Sequence, residues 1–439
     1  MATDRFGSLL KVLGVSLLAL TVAGAGLQLV TVRPDALPLF LAMVLVLGAL
    51  ALQPGWIVPS FAGLTWTAVG QSFFGPVSPV ETGGLILLAF AAYRGFARPR
   101  AAADAVLAAA LIGLPLAAAG LVSVAGSRLP IDPLKDLTFL LVLALGLTSL
   151  RDVERLVSAF CVTGLLLGAG AVYSVLVGPT SLFPLEIDEF GQQAARAAGP
   201  FGESNFFALS LAALIPAALH VAGRGRGGLV LGLATAAALG GGILATGSRA
   251  GVLAAVLALI AYAIVSRQRA SRMAAIGVLA IGLVALPLFA AQAQSSFQRS
   301  VGGRATENLI AVAMFADHPV AGVGPSDYPS FYRDYSRKIG SDPRYNREPH
   351  SLPLQIAAEQ GLAGLLGWLG AGILLIRMVI ARRVWAVPVG RTLLVALGTY
   401  LFGSLFLHGS QLRIVYMLVG ALIAVAWASD RDDVGMALG

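Results

Sequence analysis

Long apolar runs alternate with short polar breaks over nearly the whole chain, and the runs recur at about the length a helix needs to cross a bilayer. Read as spans, they fall at roughly 9–31, 35–53, 55–75, 79–96, 101–124, 134–150, 156–177, 204–222, 228–246, 250–266, 273–291, 351–377, 386–408 and 414–429. The third run, GWIVPSFAGLTWTAVGQSFF, mixes polar with apolar positions and reads equally as spanning, interfacial or re-entrant. The pattern predicts an all-α polytopic transmembrane bundle of 12–14 spans, with both termini on one side. Residues 1–291 form the main bundle and residues 351–439 its C-terminal helices.

Two polar interruptions are too long to be simple turns: residues 178–203 and residues 292–350. Loops of that length between spans usually form a lid or a binding surface. In the second, RATENLIAVAMFADHPV predicts an amphipathic helix from Arg304 to Asp317, with Leu309, Val312, Ala313 and Ala316 as its apolar stripe. Pro319, Gly322, Gly324 and Pro325 then break it. The tyrosine-rich YPSFYRDYSRKIG predicts a second short helix at the membrane surface, where Tyr suits the interface. The many small residues in the spans allow close helix packing and carry no function of their own.

Composition removes the soluble alternative. Apolar residues make up 57 % of the chain, charged residues 12 %, and the mean hydropathy is +0.84, more hydrocarbon than a soluble fold can hide. The net charge of +8 does not point to nucleic acid, because the cations sit in short clusters between apolar runs: Arg94/Arg98/Arg100, Arg224/Arg226, Arg267/Arg269/Arg272 and Arg382/Arg383. That distribution marks loops facing anionic lipid. With the termini inside, about seventeen of the 30 Lys and Arg occupy short inner loops or tails and about six occupy short outer loops. Both termini are therefore expected in the cytoplasm, and both long loops outside. Cys161 is the single cysteine, so no intramolecular disulfide forms. The first apolar run lacks a small-residue cleavage site and reads as a span, not a signal peptide.

Candidate chemistry gathers where the long loop meets the next span. His350 and Ser351 stand at that boundary. An imidazole there, with an ordinary pKa of about 6.5, can be neutral and accept a proton, although histidines also simply cap span ends. A neighbouring arginine would lower that pKa and keep the ring basic. Arg249 stands at the outer end of a span, against the charge bias, and Arg196 ends the first outer loop. Boundary arginines can merely snorkel, but two aimed into one cavity form a guanidinium clamp suited to pyrophosphate. Arg413 and His408 occupy the last outer turn, HGSQLR, and Arg413 is a further candidate anion contact. Arg304 and Arg347 flank the long loop and, with Ser351, are candidates for acceptor or loop contacts. His318, before Pro319, reads as structural, and His220 falls near an inner helix end. Glu186, Asp188, Glu189 and Glu203 give an irregular acidic cluster, the basis of a rival metal site.

Four segments, in order, carry a resemblance: RAAGPFGESNFFALSL at 196–211, TGSRAGVLAAVLAL at 246–259, HPVAGVGPSDYPSFY at 318–332, and His350-Ser351 followed after nine residues by Gly361-x-x-Gly364. Together they make residues 196–364 resemble the O-antigen ligase/polymerase family of membrane glycosyltransferases. One departure is Ser204-Asn205 after Glu203, where the family more often has Asn-Pro-Asn.

The resemblance implies a GT-C-like bundle in the bacterial cytoplasmic (inner) membrane, with its site on the periplasmic face. It implies a glycan donor on undecaprenyl pyrophosphate, and lipid A–core or a second lipid-linked glycan as acceptor. His350 then serves as catalytic base, while Arg196, Arg249 and Arg413 hold the pyrophosphate in an inverting transfer without metal or cofactor. Ligase and polymerase fit this chemistry equally. A polytopic transporter or lipid-linked oligosaccharide flippase is the alternative, since many spans and a few cavity charges also describe one. The expected partners are these lipid-linked glycans and membrane lipids, not nucleic acid.

Overall fold

The computed structural model describes residues 54–66, 84, 87–89, 91–92, 98–124, 126, 129–178, 185–186, 196–293, 297–341, 349–407 and 412–437. The spans expected at 9–31 and 35–53, most of that at 79–96, and the candidates Asp188, Glu189, Arg347 and His408 lie outside the described residues. The remainder is an all-α polytopic bundle: α1 (Ile57–Trp66), α2 (Pro99–Leu121), α3 (Ile131–Gly146), α4 (Leu150–Val177), α5 (Ser204–Ala222), α6 (Gly225–Ala245), α7 (Arg249–Val265), α8 (Arg269–Ala293), α9 (Phe297–Asp317), α10 (Tyr328–Lys338), α11 (Leu352–Ala381), α12 (Pro388–Ser404) and α13 (Leu412–Ala437). A two-stranded ladder, β1 (Leu185–Glu186) against β2 (Arg196–Ala197), pins the loop between α4 and α5. Among the described residues, α2, α4, α5, α6 and α11 are long and apolar enough to cross a membrane, and α1, α7 and Leu412–Ala428 are shorter apolar helices.

The centre of the bundle is α5, buried along almost its whole length and packed by α4, α6, α7 and α12. Small residues permit that closeness. A Cβ on Gly168 of α4 would lie 2.5 Å from the Ala238 carbonyl carbon of α6, so only glycine lets those backbones meet. Local sequence sets the helix ends. Ser149 accepts a hydrogen bond from Asp152 N at 3.2 Å to cap α4, and Gly178, at φ 89°, ends it. Successive helices alternate in direction, and polar contacts mark the two ends of the bundle. At one end Trp427 Nε1 donates to Asp104 Oδ2 at 3.1 Å, and His220 bridges Glu154 (2.9 Å) and the Thr392 hydroxyl (3.0 Å). His220, read from sequence only as lying near a helix end, is thus a buried polar clamp between α4, α5 and α12, with Arg224 completing it on Glu154.

At the other end the long loop folds against α11. The breaks after α9 do not merely end a helix: they are sewn into a break in α11. Gly361 lies inside that helix at φ 63°, ψ −156°, a conformation reserved for glycine. The kink frees the carbonyls of Ala358 and Glu359, which accept from Val323 N (2.8 Å) and Gly324 N (3.0 Å). The amides of Leu362 and Ala363 donate in turn to Pro319 O (2.8 Å) and Val320 O (3.1 Å). Buried backbone groups have to be satisfied, and here segments some forty residues apart satisfy one another. Just past the end of α2, Ser123 Oγ stands 2.9 Å from both Val323 O and Asp327 Oδ2, tying the same loop to a second helix.

Two expectations for this loop need correction. Helix α9 begins at Phe297, not Arg304, and buries a different stripe: Glu307, Ile310, Ala311 and Met314 face inward, while Leu309 and Val312 are exposed. Apolar residues lie on both faces of α9, and tertiary contacts with α10 and α11 choose between them. The tyrosines of α10 also turn inward. Tyr328 and Tyr335 pack against α9, their hydroxyls donating at 2.8 Å to Glu307 O and Asp317 Oδ2. With protein acceptors for their polar tips, the rings have no need of the membrane interface.

Gly361→Ala is expected to destabilise the fold severely. The new Cβ would sit 2.4 Å from the Val320 carbonyl carbon in a backbone region costing about 1–3 kcal/mol. Gly372→Ala, in open space on the same helix, is the control. Thermal denaturation in detergent, followed by size-exclusion fluorescence, should show a large loss for the first and none for the second.

Candidate active site

The N-termini of α5 and α7 lie side by side at the end of the bundle that carries the long loop. Ser248 caps α7 by accepting from Gly251 N at 3.2 Å, and its hydroxyl donates to Asn205 Oδ1, in the first turn of α5, at 2.9 Å. Glu186 Oε2 accepts from Ser204 N at 3.3 Å and so caps α5 from the neighbouring ladder. Two helix N-termini bring partial positive charge to one place, a setting that favours anions.

Arginines stand over these termini. Arg196 faces Glu186 across the two-stranded ladder. Its Nε donates to Thr246 O at 2.8 Å, and Nη1 lies 3.6 Å from Glu186 Oε2. The side chain is thereby laid along the turn 246–248, where Gly247 takes φ 64°. Arg249 is the first residue of α7. Arg304, on α9, is half-buried. Burial holds its guanidinium below the ordinary arginine range, Glu307 and Glu203 oppose that shift, and Arg249 and Arg196 add to it. Three arginines from three separate stretches of chain therefore share one field with two carboxylates.

His350 completes the group through Glu307. Its Nε2 is 3.1 Å from Glu307 Oε2, with the carboxylate 2 % exposed and the imidazole 16 %. Between Arg304 and His350, Glu307 joins the arginines to the histidine. The charge that α9 sets against the ring is a carboxylate. Nδ1 of the ring is shielded from solvent. A buried carboxylate in that position sets negative charge beside the ring. Ser351 supplies the extended residue that starts α11 (φ −163°, ψ 114°), and its carbonyl accepts from Gln355 N at 2.9 Å. Its hydroxyl does not cap the helix.

Arg413 reaches the same end of the bundle but is engaged differently. Its Nη2 lies 3.3 Å from Asp136 Oδ1 of α3, with the guanidinium 5.9 Å from the centre of the Phe139 ring. Tyr400, wholly buried in α12, lies within electrostatic reach of both Arg413 and Glu203. His318 has the structural role expected of it: its amide closes α9 on Met314 O at 2.9 Å and its carbonyl accepts from Gly322 N at 3.0 Å. Of the acidic cluster, Glu186 is engaged by Arg196 and Ser204 N, and Glu203 by Asn205 at 3.4 Å. Among the described residues no three metal-ligating side chains come together.

Sequence reasoning missed Glu307 and Asp136. For Glu307 a signal was present, since it precedes Ile310, Ala311 and Met314 by three, four and seven residues, the spacing of one helical face. Asp136 pairs with a residue far along the chain, and local pattern carries no trace of that.

Residues 234–369 match a family model described as O-antigen ligase. The match takes in Arg249, Arg304, Glu307, His350 and Gly361, and it excludes Arg196 and Arg413. No curated protein matches the chain.

Ser248→Ala should cost about 0.5–2 kcal/mol by loss of the cap. Because the same hydroxyl reaches Asn205, a double-mutant cycle with Asn205→Ala should be non-additive by about 0.5 kcal/mol or more. Denaturation of the four proteins in detergent measures both quantities, and strict additivity would separate the two helix ends.

Proposed function

We infer that this chain, a polytopic member of the O-antigen ligase/polymerase family by the match over residues 234–369, is an inverting, metal-independent glycosyltransferase. It moves an oligo- or polysaccharide from undecaprenyl pyrophosphate to a hydroxyl of a glycan acceptor on the outer face of the cytoplasmic membrane. The acceptor is lipid A–core or a second lipid-linked glycan. One observation carries this reading: Arg196, Arg249 and Arg304 share a field beside two helix N-termini, and the same field includes the carboxylate that holds His350.

The chemistry follows from those groups. The bond between the anomeric carbon and the pyrophosphate oxygen breaks, and the leaving oxygen keeps the electron pair. Its growing charge is met by the guanidinium groups and the amides at the starts of α5 and α7. The acceptor oxygen attacks from the opposite side of the sugar, which inverts the anomeric configuration, and its proton passes to the imidazole of His350. Glu307 keeps the ring oriented and balances the imidazolium. The polyprenyl tail lies among the helices while the head group stays at the polar end. The asymmetry of Lys and Arg supports placing that end outside.

With purified protein, lipid-linked glycan and acceptor, His350→Ala should lower release of undecaprenyl pyrophosphate about 10²–10⁴-fold. Glu307→Gln should lose less and change the pH–rate profile, because an uncharged partner no longer stabilises the imidazolium. Arg249→Lys and Arg196→Lys should each fall by up to about 10²–10³-fold, since an ammonium lacks the planar fork. Chelator should leave the wild-type rate unchanged. A folded His350→Ala protein with undiminished product, or glycan movement with no covalent product, would contradict a transferase working through this histidine.

A further inference from the structure

At the end of the bundle away from His350, a groove of 740 Å³ runs between α7 and α12. Its walls are apolar, with Leu257, Ile260 and Ile264 on one side and Leu394, Gly398 and Phe402 on the other. The polar residues at its mouth are Arg267 and Arg391, beside Trp385. From Leu257 to Arg267, and from Arg391 to Phe402, each wall rises about 15–17 Å, which is close to half of a ~30 Å hydrocarbon core. The groove is one leaflet deep.

The mouth is built for an anion. Arg391 donates through Nη1 to Trp385 O (3.2 Å) and Ala386 O (3.0 Å), which fixes the guanidinium against the turn before α12. Neither Arg391 nor Arg267 has a carboxylate partner among the described residues, although the two lie within electrostatic reach of each other. Two like charges held together at a membrane boundary repel unless something negative lies between them. Trp385, 47 % exposed, is the side chain type that favours the headgroup level.

We propose that this groove binds one glycerophospholipid with an anionic headgroup from the leaflet opposite the His350 end, its phosphate between Arg267 and Arg391 and an acyl chain along α7 and α12. The charge selects an anionic over a zwitterionic lipid. The depth confines the site to one leaflet, so it is separate from any donor whose head lies at the His350 end. The proposal does not depend on the transferase reading.

Native mass spectrometry of the full chain tests it, titrating phosphatidylglycerol against phosphatidylethanolamine in nonionic detergent. Wild type should retain one phosphatidylglycerol about tenfold or more in preference to phosphatidylethanolamine, and Arg267→Gln/Arg391→Gln should bring the two lipids level. Gly398→Leu, at a position with no neighbour within 4 Å, should reduce retention with both arginines intact by filling the groove. Arg272→Gln, an exposed arginine at the same end, should change nothing. Equal retention of the two lipids by wild type, or wild-type preference in the double variant, overturns the proposal. So does loss in the double variant with none in a Gly398→Leu protein that elutes normally, since the lipid would then be held by surface charge and not by the groove.

Discussion

Everything at the polar end rests on backbone groups that cannot be left unpaired in a membrane. Where α11 breaks at Gly361, the freed carbonyls and amides need partners, and the segment from Pro319 to Gly324 supplies them one for one. That exchange does more than repair a kink. It fixes α9, which ends just before the segment, against α11, which begins just after His350. Glu307 and His350 can then meet at 3.1 Å although 43 residues separate them. Without the break there would be no docking edge for the loop, and the carboxylate and the imidazole would sit on independent elements.

The arginines reach the same place by a different route. Alternation of helix direction brings the starts of α5 and α7 to one end, and a two-residue ladder lays Arg196 across the turn between α6 and α7. No single element carries the site. It is assembled from the loop between α4 and α5, two helix N-termini, the loop helix α9 and the start of α11. A rigid bundle with α5 at its centre holds these pieces together, and the opposite end is locked separately by Glu154, His220, Arg224 and Thr392.

Much of this was legible from residue pattern. Hydropathy gave the helical class and, among the described residues, the places of most long helices, because hydrocarbon length constrains a membrane chain more tightly than a soluble one is constrained. Charge asymmetry put Arg196, Arg249 and His350 at one end. The face of α9 was not legible, for a physical reason: a loop helix beside a bilayer can leave Leu309 and Val312 exposed, so an apolar stripe there does not mark the core. The kink at Gly361 was also hidden. Its neighbours Ala357, Ala358 and Leu362 are good helix formers, and the segment that rewards the break lies some forty residues upstream. Long-range pairs such as Arg413 with Asp136 leave no local signal at all.

The cations at this end come with resident counter-ions: Glu186 for Arg196, Glu307 beside Arg304, and Asp136 for Arg413. Those carboxylates offset much of the charge of the arginines beside them. Any arriving polyanion has to compete with carboxylates already in place, so its net gain is the difference between two ionic arrangements and not the full attraction of bare arginines. Such exchange caps affinity and speeds dissociation, which under the proposed function would ease release of the pyrophosphate after each transfer.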